Sequence, residues 1–391
     1  MNKLKTTFCG IELKNPIIIA SCPATETTKG LIKASKAGAG AAILKSASVF
    51  EKPVDKNSIG FRRTFIKNNE YYATSTFARE TLTIKEAVEI IKKTRNKTAM
   101  PLFASLAITD FESEKWVEAS IKLKNAGASL LHLDLFYLPQ PAAKESNLLK
   151  LKQIIAEISK NLSIPVVPKL NNNIPAYLFA DFFSAKDLQG VFVLDSLRVS
   201  SPIDSKGKIE YNYVNNLGMS SIYGSFQKQL TNHYLTIISK TSKFEICAGG
   251  GYTNSEDIIE AFMLGANAVM LASPVLLNGY EIIEVITKEL LEKMEKLECS
   301  ELWKLKYIPE KQRIDIHEGA TVFKKAVANI DKNKCIGCGK CLKTSFCNSI
   351  NENGIDQLLC DGCGFCSGLC PAKAINIEPI SKYYKAQPTV N

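Results

Sequence analysis

Apolar residues gather into eight short, nearly unbroken runs along the first three hundred or so positions: PIIIA (16–20), AAILK (41–45), PLFASL (101–106), LLHLDLF (130–136), IPVVPKL (164–170), GVFVLD (190–195), FEICA (244–248) and NAVMLA (267–272). A strand covered on both faces reads as a continuous apolar run, whereas a half-exposed strand alternates. Between the runs lie longer stretches with helical spacing. Three segments repeat one phrase: KAGAGAAILKS (36–46), NAGASLLHLDL (125–135) and LGANAVMLAS (264–273). Each predicts a helix that ends at glycine and passes directly into a buried strand. Their glycines, Gly38, Gly127 and Gly265, are 89 and 138 residues apart, near-multiples of one strand-plus-helix unit, which places them in units two, four and eight.

Eight strands alternating with helices point to an α/β protein, a (β/α)8 TIM barrel over residues 1–298, because parallel neighbours need helical crossovers and eight of them close the sheet. A doubly wound open sheet is the structural alternative. Residues 278–298 place Ile282, Ile283, Val285, Ile286, Leu290, Met294 and Leu297 at helical spacing, as the last barrel helix. The long connections 46–82 and 197–226 follow strands two and six and would lie over the C-terminal face, where barrel enzymes keep their chemistry.

The remaining sequence changes character. A connector over 299–330, with Pro309, leads to residues 331–391, where eight of the chain's twelve cysteines crowd together as CIGCGKCLKTSFC and CDGCGFCSGLCP. Cys335, Cys338 and Cys341 form one CxxCxxC trio and Cys360, Cys363 and Cys366 another, the ligand spacing of a 2[4Fe–4S] ferredoxin-like domain. In that pattern the fourth ligand of each cluster comes from the other motif, so Cys370 completes the first cluster and Cys347 the second. Cys341 and Cys347 are separated by five residues rather than three, which makes Cys347 the irregular ligand. Zinc ribbons use paired CxxC units, and a disulfide framework needs an oxidising compartment. Cys9, Cys22, Cys247 and Cys299 read as ordinary buried thiols.

Composition narrows the picture. A net charge of +10 over 391 residues could suggest nucleic acid, but the lysines are dispersed and no stacking-aromatic motif accompanies them. An acidic redox partner or an anionic cofactor accounts for the excess better; a solvated lysine surface accounts for it as well. The opening MNKLKTTFCGIELKNP has no signal-peptide core and no apolar run approaches the roughly twenty residues of a membrane span, so a cytoplasmic protein is expected.

Candidate chemistry sits at strand ends. ICAGGGYTNSED puts Gly250 and Gly251 after strand seven and ahead of a helix entry, a loop that can cradle phosphate with Ser273 at the end of strand eight. Lys45 and Lys169 end strands two and five, where an ammonium can stabilise an anionic reduced flavin or a developing enolate; each can also simply cap a strand beside a carboxylate.

GIELKNPIIIAS, GAGAAILKS, VVPKL, VLDSL and AGGGYTNSEDIIEAFMLGANAVMLAS, followed by the terminal ferredoxin, resemble the dihydroorotate and dihydropyrimidine dehydrogenases. The likeness is closest to the bacterial dihydropyrimidine dehydrogenase subunit that joins an FMN barrel to two clusters. The resemblance implies FMN held by Ala20, Ser21, Lys45, Ser46, Lys169, Ser196, Gly224, Gly250, Gly251, Ala272 and Ser273. It implies a small-molecule substrate that exchanges a hydride, and a partner that is an FAD- and NAD(P)H-binding subunit or a soluble ferredoxin or flavodoxin. A homo-oligomer is compatible with it. Where the family carries Asn-Leu-Ser-Cys-Pro-Asn, this chain reads Asp134-Leu135-Phe136-Tyr137-Leu138-Pro139, so Tyr137 stands in place of the proton-transferring Cys. Asp134 and Asp195 replace two asparagines that hold pyrimidine amides. Arg62, Arg63 and Arg79 on the loop after strand two are candidates to meet an anionic substrate. Three readings follow: a related flavin oxidoreductase acting on another unsaturated or dihydro compound, a dihydropyrimidine dehydrogenase using Tyr137, or a non-catalytic FMN and iron–sulfur electron-transfer module.

Overall fold

The computed structural model describes residues 3–49, 62–67, 70–76, 81–138, 145–200, 203–208, 219–306, 322–344 and 346–385. The chain divides into two compact units, Met1–Gln312 and Arg313–Asn391. In the first, eight strands form a ring: β1 (Ile17–Ile19), β2 (Ala41–Ile43), β3 (Leu102–Ala107), β4 (Leu130–Asp134), β5 (Val166–Lys169), β6 (Gly190–Val193), β7 (Glu245–Gly249) and β8 (Ala268–Leu271). Every neighbouring pair is parallel, and β8 closes on β1 through Val269 with Ile17 and Leu271 with Ile19. Helices α1 (Thr28–Lys36), α2 (Ile84–Arg95), α3 (Ser113–Asn125), α4 (Glu145–Asn161), α5 (Ala176–Phe182), α6 (Lys228–Thr241) and α7 (Ser255–Met263) supply the crossovers, and α8 (Ser273–Asn278) and α9 (Ile282–Lys296) follow the last strand. The closed ring excludes the open doubly wound sheet.

All eight apolar runs become strands, six of them shorter than the run and two, Leu102–Ala107 and Glu245–Gly249, of equal length but one residue further along. Leu44, Leu170 and Leu194 stay buried just past the strand ends, and their amides still donate to the Phe103, Phe192 and Gly249 carbonyls, so inter-strand bonding runs one residue further there. Gly38, Gly127 and Gly265 adopt positive φ between a helix and β2, β4 or β8, as the repeated phrase predicts. The last helical stretch differs from its expectation. It starts after a short α8, and Ile283, Ile286, Leu290 and Met294 form the buried stripe, while Val285 and Leu297 are exposed because they sit off the face that packs on the barrel.

Two cores result from alternation along the strands. Outward side chains such as Leu131, Leu133, Val191 and Val193 pack under the helices, and Leu302 and Leu305 join that layer. Inward side chains, among them Ile18, Ile43, Leu130, Val167, Phe192 and Met270, fill the barrel with Phe8 and Leu13 from the N-terminal hairpin Thr6–Phe8 and Ile11–Leu13. Phe192 packs edge-on against Phe8 with centroids 5.2 Å apart, and against Phe103 at 6.4 Å. An eight-stranded barrel is just wide enough to be filled this way.

The two long connections meet each other. Leu197–Ser200, Met219–Gly224, Glu70–Thr76 and Arg62–Lys67 form one antiparallel sheet in that order. They leave from β2 and β6, half a ring apart, so pairing them brings chain over the C-terminal mouth.

The second unit pairs Val322–Ile330 with Ile375–Lys385 and adds a two-residue hairpin, Ile350–Asn351 with Gly354–Ile355, and the short helix Phe365–Leu369. Val327, Ala328, Cys360 and Ile375 are its buried centre. Among the described residues no helix is long and apolar enough to cross a membrane.

Because Phe192 fills the middle of the barrel, Phe192→Ala is expected to cost about 3–5 kcal/mol. Urea denaturation of the purified protein checks this, and a loss below about 1 kcal/mol would contradict the packing described.

Candidate active site

A cleft opens at the C-terminal ends of the barrel strands. Ten sequence-predicted residues line it: Ala20 and Ser21 after β1, Lys169 ending β5, Asp195 and Ser196 after β6, Gly224 ahead of α6, Gly250 and Gly251 after β7, and Ala272 with Ser273 after β8. Leu194, Tyr223, Gln227, Tyr252 and Leu276 also line it, as does Cys22. These carry no local sequence signal: Tyr223 reaches the cleft from the strand Met219–Gly224, Leu276 from α8, and the others from the segments after strand ends.

One wall is glycine for steric reasons. Gly250 and Gly251 have φ of +99° and +92°, which L side chains rarely adopt. A Cβ on Gly251 would stand 2.3 Å from the main-chain nitrogen of Lys228, and one on Gly250 would meet the Gln227 amide at 2.5 Å. Gln227 donates from Nε2 to the Asp195 carbonyl at 2.6 Å. Its Oε1 is buried with no hydrogen-bond partner among the described residues, so the cleft offers an unused acceptor. The entry of α7, expected to help hold phosphate, is already satisfied from within. Asn254 caps the Asp257 amide, and the Asp257 carboxylate accepts from Thr253 N at 2.7 Å and from Lys228 Nζ at 2.9 Å. By contrast, α8 starts at Ser273 with no side-chain cap and faces the cleft.

Beneath the cleft lies a buried polar layer made from inward positions of β3, β4 and β5. Lys169 Nζ is 3.1 Å from Asp195 Oδ2, and Ser196 donates its amide to Asp195 Oδ1 at 2.6 Å. Ser46 does not line the cleft but joins it to the layer. Its Oγ lies 3.1 Å from Ser21 Oγ, 3.0 Å from Ser105 Oγ and 2.7 Å from Asp134 Oδ2. Asp134 also accepts from the Phe136 amide at 3.1 Å. Burial raises the Asp134 pKa, the nearby Asp195 charge raises it further, and Lys169 and the Ser46 and Phe136 hydrogen bonds oppose that. Lys45 is buried just after β2 and likewise lies outside the cleft lining.

Two members of this layer escaped the sequence reading. Ser105 Oγ is 2.8 Å from His132 Nδ1, and burial pushes the His132 pKa down to about 3, with the Lys169 charge acting in the same direction. A lone polar residue in an apolar run gives no sign of whether it faces helices or barrel axis. Tyr137 ends a short turn, Leu135–Tyr137, but its side chain lies outside the described residues, as do those of Arg62, Arg63 and Arg79.

In the second unit the eight motif cysteines separate into two small cavities. Cys335, Cys338, Cys341 and Cys370 line one. Cys347, Cys360, Cys363 and Cys366 line the other. Main-chain amides already point at sulfur in this unit: Ala374 N lies 3.2 Å from Cys370 Sγ and Ala328 N 3.3 Å from Cys360 Sγ. Ser349 Oγ lies 3.0 Å from Cys347 Sγ. Elsewhere Cys9, Cys22 and Cys247 are buried as expected, while Cys299 is partly exposed.

The sequence matches the profile of the family described as dihydroorotate dehydrogenase over residues 3–294. It is similar to the catalytic subunit of dihydroorotate dehydrogenase B (NAD(+)) of Methanocaldococcus jannaschii, at 27% identity over 299 residues that span 74% of this chain and 92% of that protein. It is also similar to the NAD-dependent dihydropyrimidine dehydrogenase subunit PreA of Escherichia coli K12, at 22% identity over 365 residues, 86% of this chain and 84% of that one. A shorter likeness, 44% over 52 residues, joins 12% of the chain to 62% of the pyruvate synthase subunit PorD of Methanothermobacter marburgensis.

The buried imidazole has a consequence for stability. His132 stays neutral in the folded protein down to about pH 3, whereas an unfolded histidine takes a proton below about 6.5. The unfolded state therefore binds more protons in that window, and stability falls as pH falls through it, by up to about 1.4 kcal/mol per pH unit. Chemical denaturation between pH 7 and pH 4 should show this slope and lose most of it in His132→Gln; an unchanged slope would contradict the burial of a neutral ring.

Proposed function

Because this chain belongs to the dihydroorotate dehydrogenase family, we propose that it is a flavin-dependent oxidoreductase acting on a CH–CH bond of a dihydro or unsaturated small molecule, with FMN in the barrel cleft and two [4Fe–4S] clusters in the C-terminal unit. The observation that carries this reading is the pairing of one glycine-walled cleft at the barrel mouth with two separate cavities, each lined by four cysteines. The cleft suits a phosphorylated cofactor. Gly250 and Gly251 present main chain rather than side chains to the cleft, so an anion can approach closely, and the buried Gln227 Oε1 awaits a donor such as a cofactor hydroxyl or N–H. In domain terms the reading is an FMN barrel over 1–298, a connector over 299–330 whose start, Leu302 and Leu305, joins the barrel core and whose end, Val322–Ile330, is a strand of the second unit, and a ferredoxin-like domain over 331–391.

FMN, when bound, takes or gives a hydride equivalent and exchanges electrons singly with the clusters. The protein's part is positional and electrostatic. Ala20, Ser21, Ser196, Gly224, Gly250, Gly251, Ala272 and Ser273 hold the cofactor, with the phosphate toward the last four. Lys169, oriented by Asp195 at 3.1 Å, and Lys45 balance negative charge that develops at the mouth. Tyr137 donates a proton to the substrate carbon; an ordinary phenol, with a pKa near 10, is suited to giving a proton rather than taking one at neutral pH. Cys335, Cys338, Cys341 and Cys370 hold one cluster, and Cys347, Cys360, Cys363 and Cys366 the other, so the fourth ligand crosses between motifs despite the longer Cys341–Cys347 spacing.

The substrate is read as something other than a simple pyrimidine. Asp134 and Asp195 are acceptors only, and both are engaged by neighbours in the layer beneath the cleft. Electrons pass to or from a separate FAD- and NAD(P)H-binding subunit or a soluble ferredoxin or flavodoxin in the cytoplasm. Both barrel relatives, named as subunits of NAD-dependent dehydrogenases, support the first of these.

Three outcomes are expected. Gly251→Ala, which drives a Cβ into the Lys228 main chain, and Ser273→Asp, which adds a negative charge beside the phosphate, each weaken FMN retention by about tenfold or more; flavin content that matches wild type in both variants sinks the cofactor assignment. Cys370→Ser lowers iron and sulfide by about half and removes one cluster's signal, whereas loss of both clusters, or of neither, contradicts the crossed ligand sets. In an anaerobic screen of dihydropyrimidines and small enoates, turnover falls about a hundredfold in Tyr137→Phe. Robust turnover in that variant removes Tyr137 from the reaction, and a flavin that only a protein partner can reoxidise favours the electron-transfer module.

A further inference from the structure

Proton counting in the layer beneath the cleft fixes something that the heavy atoms alone do not. Four side-chain contacts link its members: Ser21 with Ser46 at 3.1 Å, Ser46 with Ser105 at 3.0 Å, Ser46 with Asp134 at 2.7 Å, and Ser105 with His132 at 2.8 Å. Each contact needs one proton between its two heavy atoms. The three hydroxyls supply three. The fourth must come from one end of the chain, either from a protonated Asp134 or from His132 Nδ1.

If Asp134 were the source, every hydroxyl would turn toward the ring. Ser46 would donate to Ser105, Ser105 to Nδ1, and the neutral ring would carry its own proton on Nε2. That nitrogen is buried with no hydrogen-bond partner among the described residues, beside Phe192 with ring centroids 4.8 Å apart. A buried N–H without an acceptor is the costlier kind of orphan, because an unused lone pair loses less than an unused donor. A protonated Asp134 would also spend its proton where Ser46 can already donate, while the Phe136 amide at 3.1 Å and the nearby Lys169 ammonium favour a carboxylate. If His132 is the source, all four contacts are satisfied and only a lone pair on Nε2 is left over.

We infer that His132 is a positioning residue, held as the neutral Nδ1–H tautomer, which donates to Ser105 and so turns the Ser105 and Ser46 hydroxyls toward Asp134, keeping that residue a carboxylate in the layer beneath the cleft. The inference rests on the reading of this cleft as the reaction site. Its consequence is that Asp134 acts as a fixed acceptor rather than an acid, although burial and the facing Asp195 charge work against its ionisation. The groups that face Asp134 are Ser46, the Phe136 amide, Lys169 and Asp195, and of these only Ser46 has a proton whose direction another side chain can set.

The tautomer can be read without turnover. The chain has three histidines, so 15N-histidine labelling of the folded protein gives three ring signatures, and His132→Gln or His132→Asn assigns the one that disappears. At neutral pH the expected signature is a protonated Nδ1 and a bare Nε2. A protonated Nε2 with bare Nδ1, or an imidazolium, overturns the inference. In Ser105→Ala the Nδ1–H tautomer loses its acceptor and its population falls, while Ser105→Thr, which keeps the hydroxyl, restores it. With 13C-carboxyl aspartate assigned by Asp134→Asn, the Asp134 midpoint moves to higher pH in Ser105→Ala and returns in Ser105→Thr; a midpoint indifferent to both overturns the link to Asp134. Because these readouts need no substrate, failure here leaves the flavin reading standing, and absence of flavin or turnover leaves the tautomer result intact.

Discussion

In a closed ring of eight parallel strands every second side chain must face the axis, where there is space for side chains but little for water. That constraint organises the whole first unit. Near the N-terminal end the inward positions are apolar, and Phe8, Phe103 and Phe192 interlock there. One or two steps along the same strands, the inward positions become Ser105, His132, Asp134 and Lys169. The register that seats Leu130 beside Phe103 also seats His132 beside Ser105, and Asp134 beside Lys169. The dry floor and the polar layer are thus two stretches of one pattern, and neither can shift by a residue without turning the other outward.

Burial then dictates how the polar layer must be wired. An unpaired charge at these depths costs several kcal/mol, so Lys169 is matched to Asp195 and Asp134 takes donors from Ser46 and from main chain. Ser46, outside the cleft itself, connects Ser21 in the lining to the charges below. Aspartates at the two positions where the family resemblance leads one to expect asparagines fit the same logic. An amide offers both donor and acceptor to a ligand, whereas a carboxylate surrounded by hydroxyl, ammonium and amide donors is held in place by the protein itself.

Much of the fold was legible because its cause is local. Continuous apolar runs mark strands buried on both faces, and the helix–glycine–strand phrase at Gly38, Gly127 and Gly265 marks three crossovers. Strand ends were less legible, since Leu44, Leu170 and Leu194 remain buried and bonded to the next strand one residue past each strand end. Ten cleft residues could be named from strand-end position and family resemblance. Gln227, His132 and Ser105 could not, because their partners lie 32, 27 and 27 residues away and only the pairing of neighbouring strands and the fold of the long connection after β6 bring them together. The helix entry at Ser255 read as a phosphate site, but Asn254 and Asp257 cap it internally, a contact that spacing alone does not distinguish from a vacant helix end. In the second unit the cysteine spacing was informative even where irregular. The two extra residues before Cys347 lengthen the loop without removing that thiol from the cavity it shares with Cys360, Cys363 and Cys366.

The central claim is that one cleft and two cysteine-lined cavities form a single redox system. Its most direct test is cofactor stoichiometry of the full-length protein purified and reconstituted without oxygen, by flavin absorbance together with iron, sulfide and electron paramagnetic resonance after photoreduction. The account predicts one FMN and two magnetically distinct [4Fe–4S] clusters per chain, with reducing equivalents appearing on both clusters once the flavin is reduced. Protein that retains no flavin, or that holds zinc or a single cluster in the cysteine-rich unit, would contradict it.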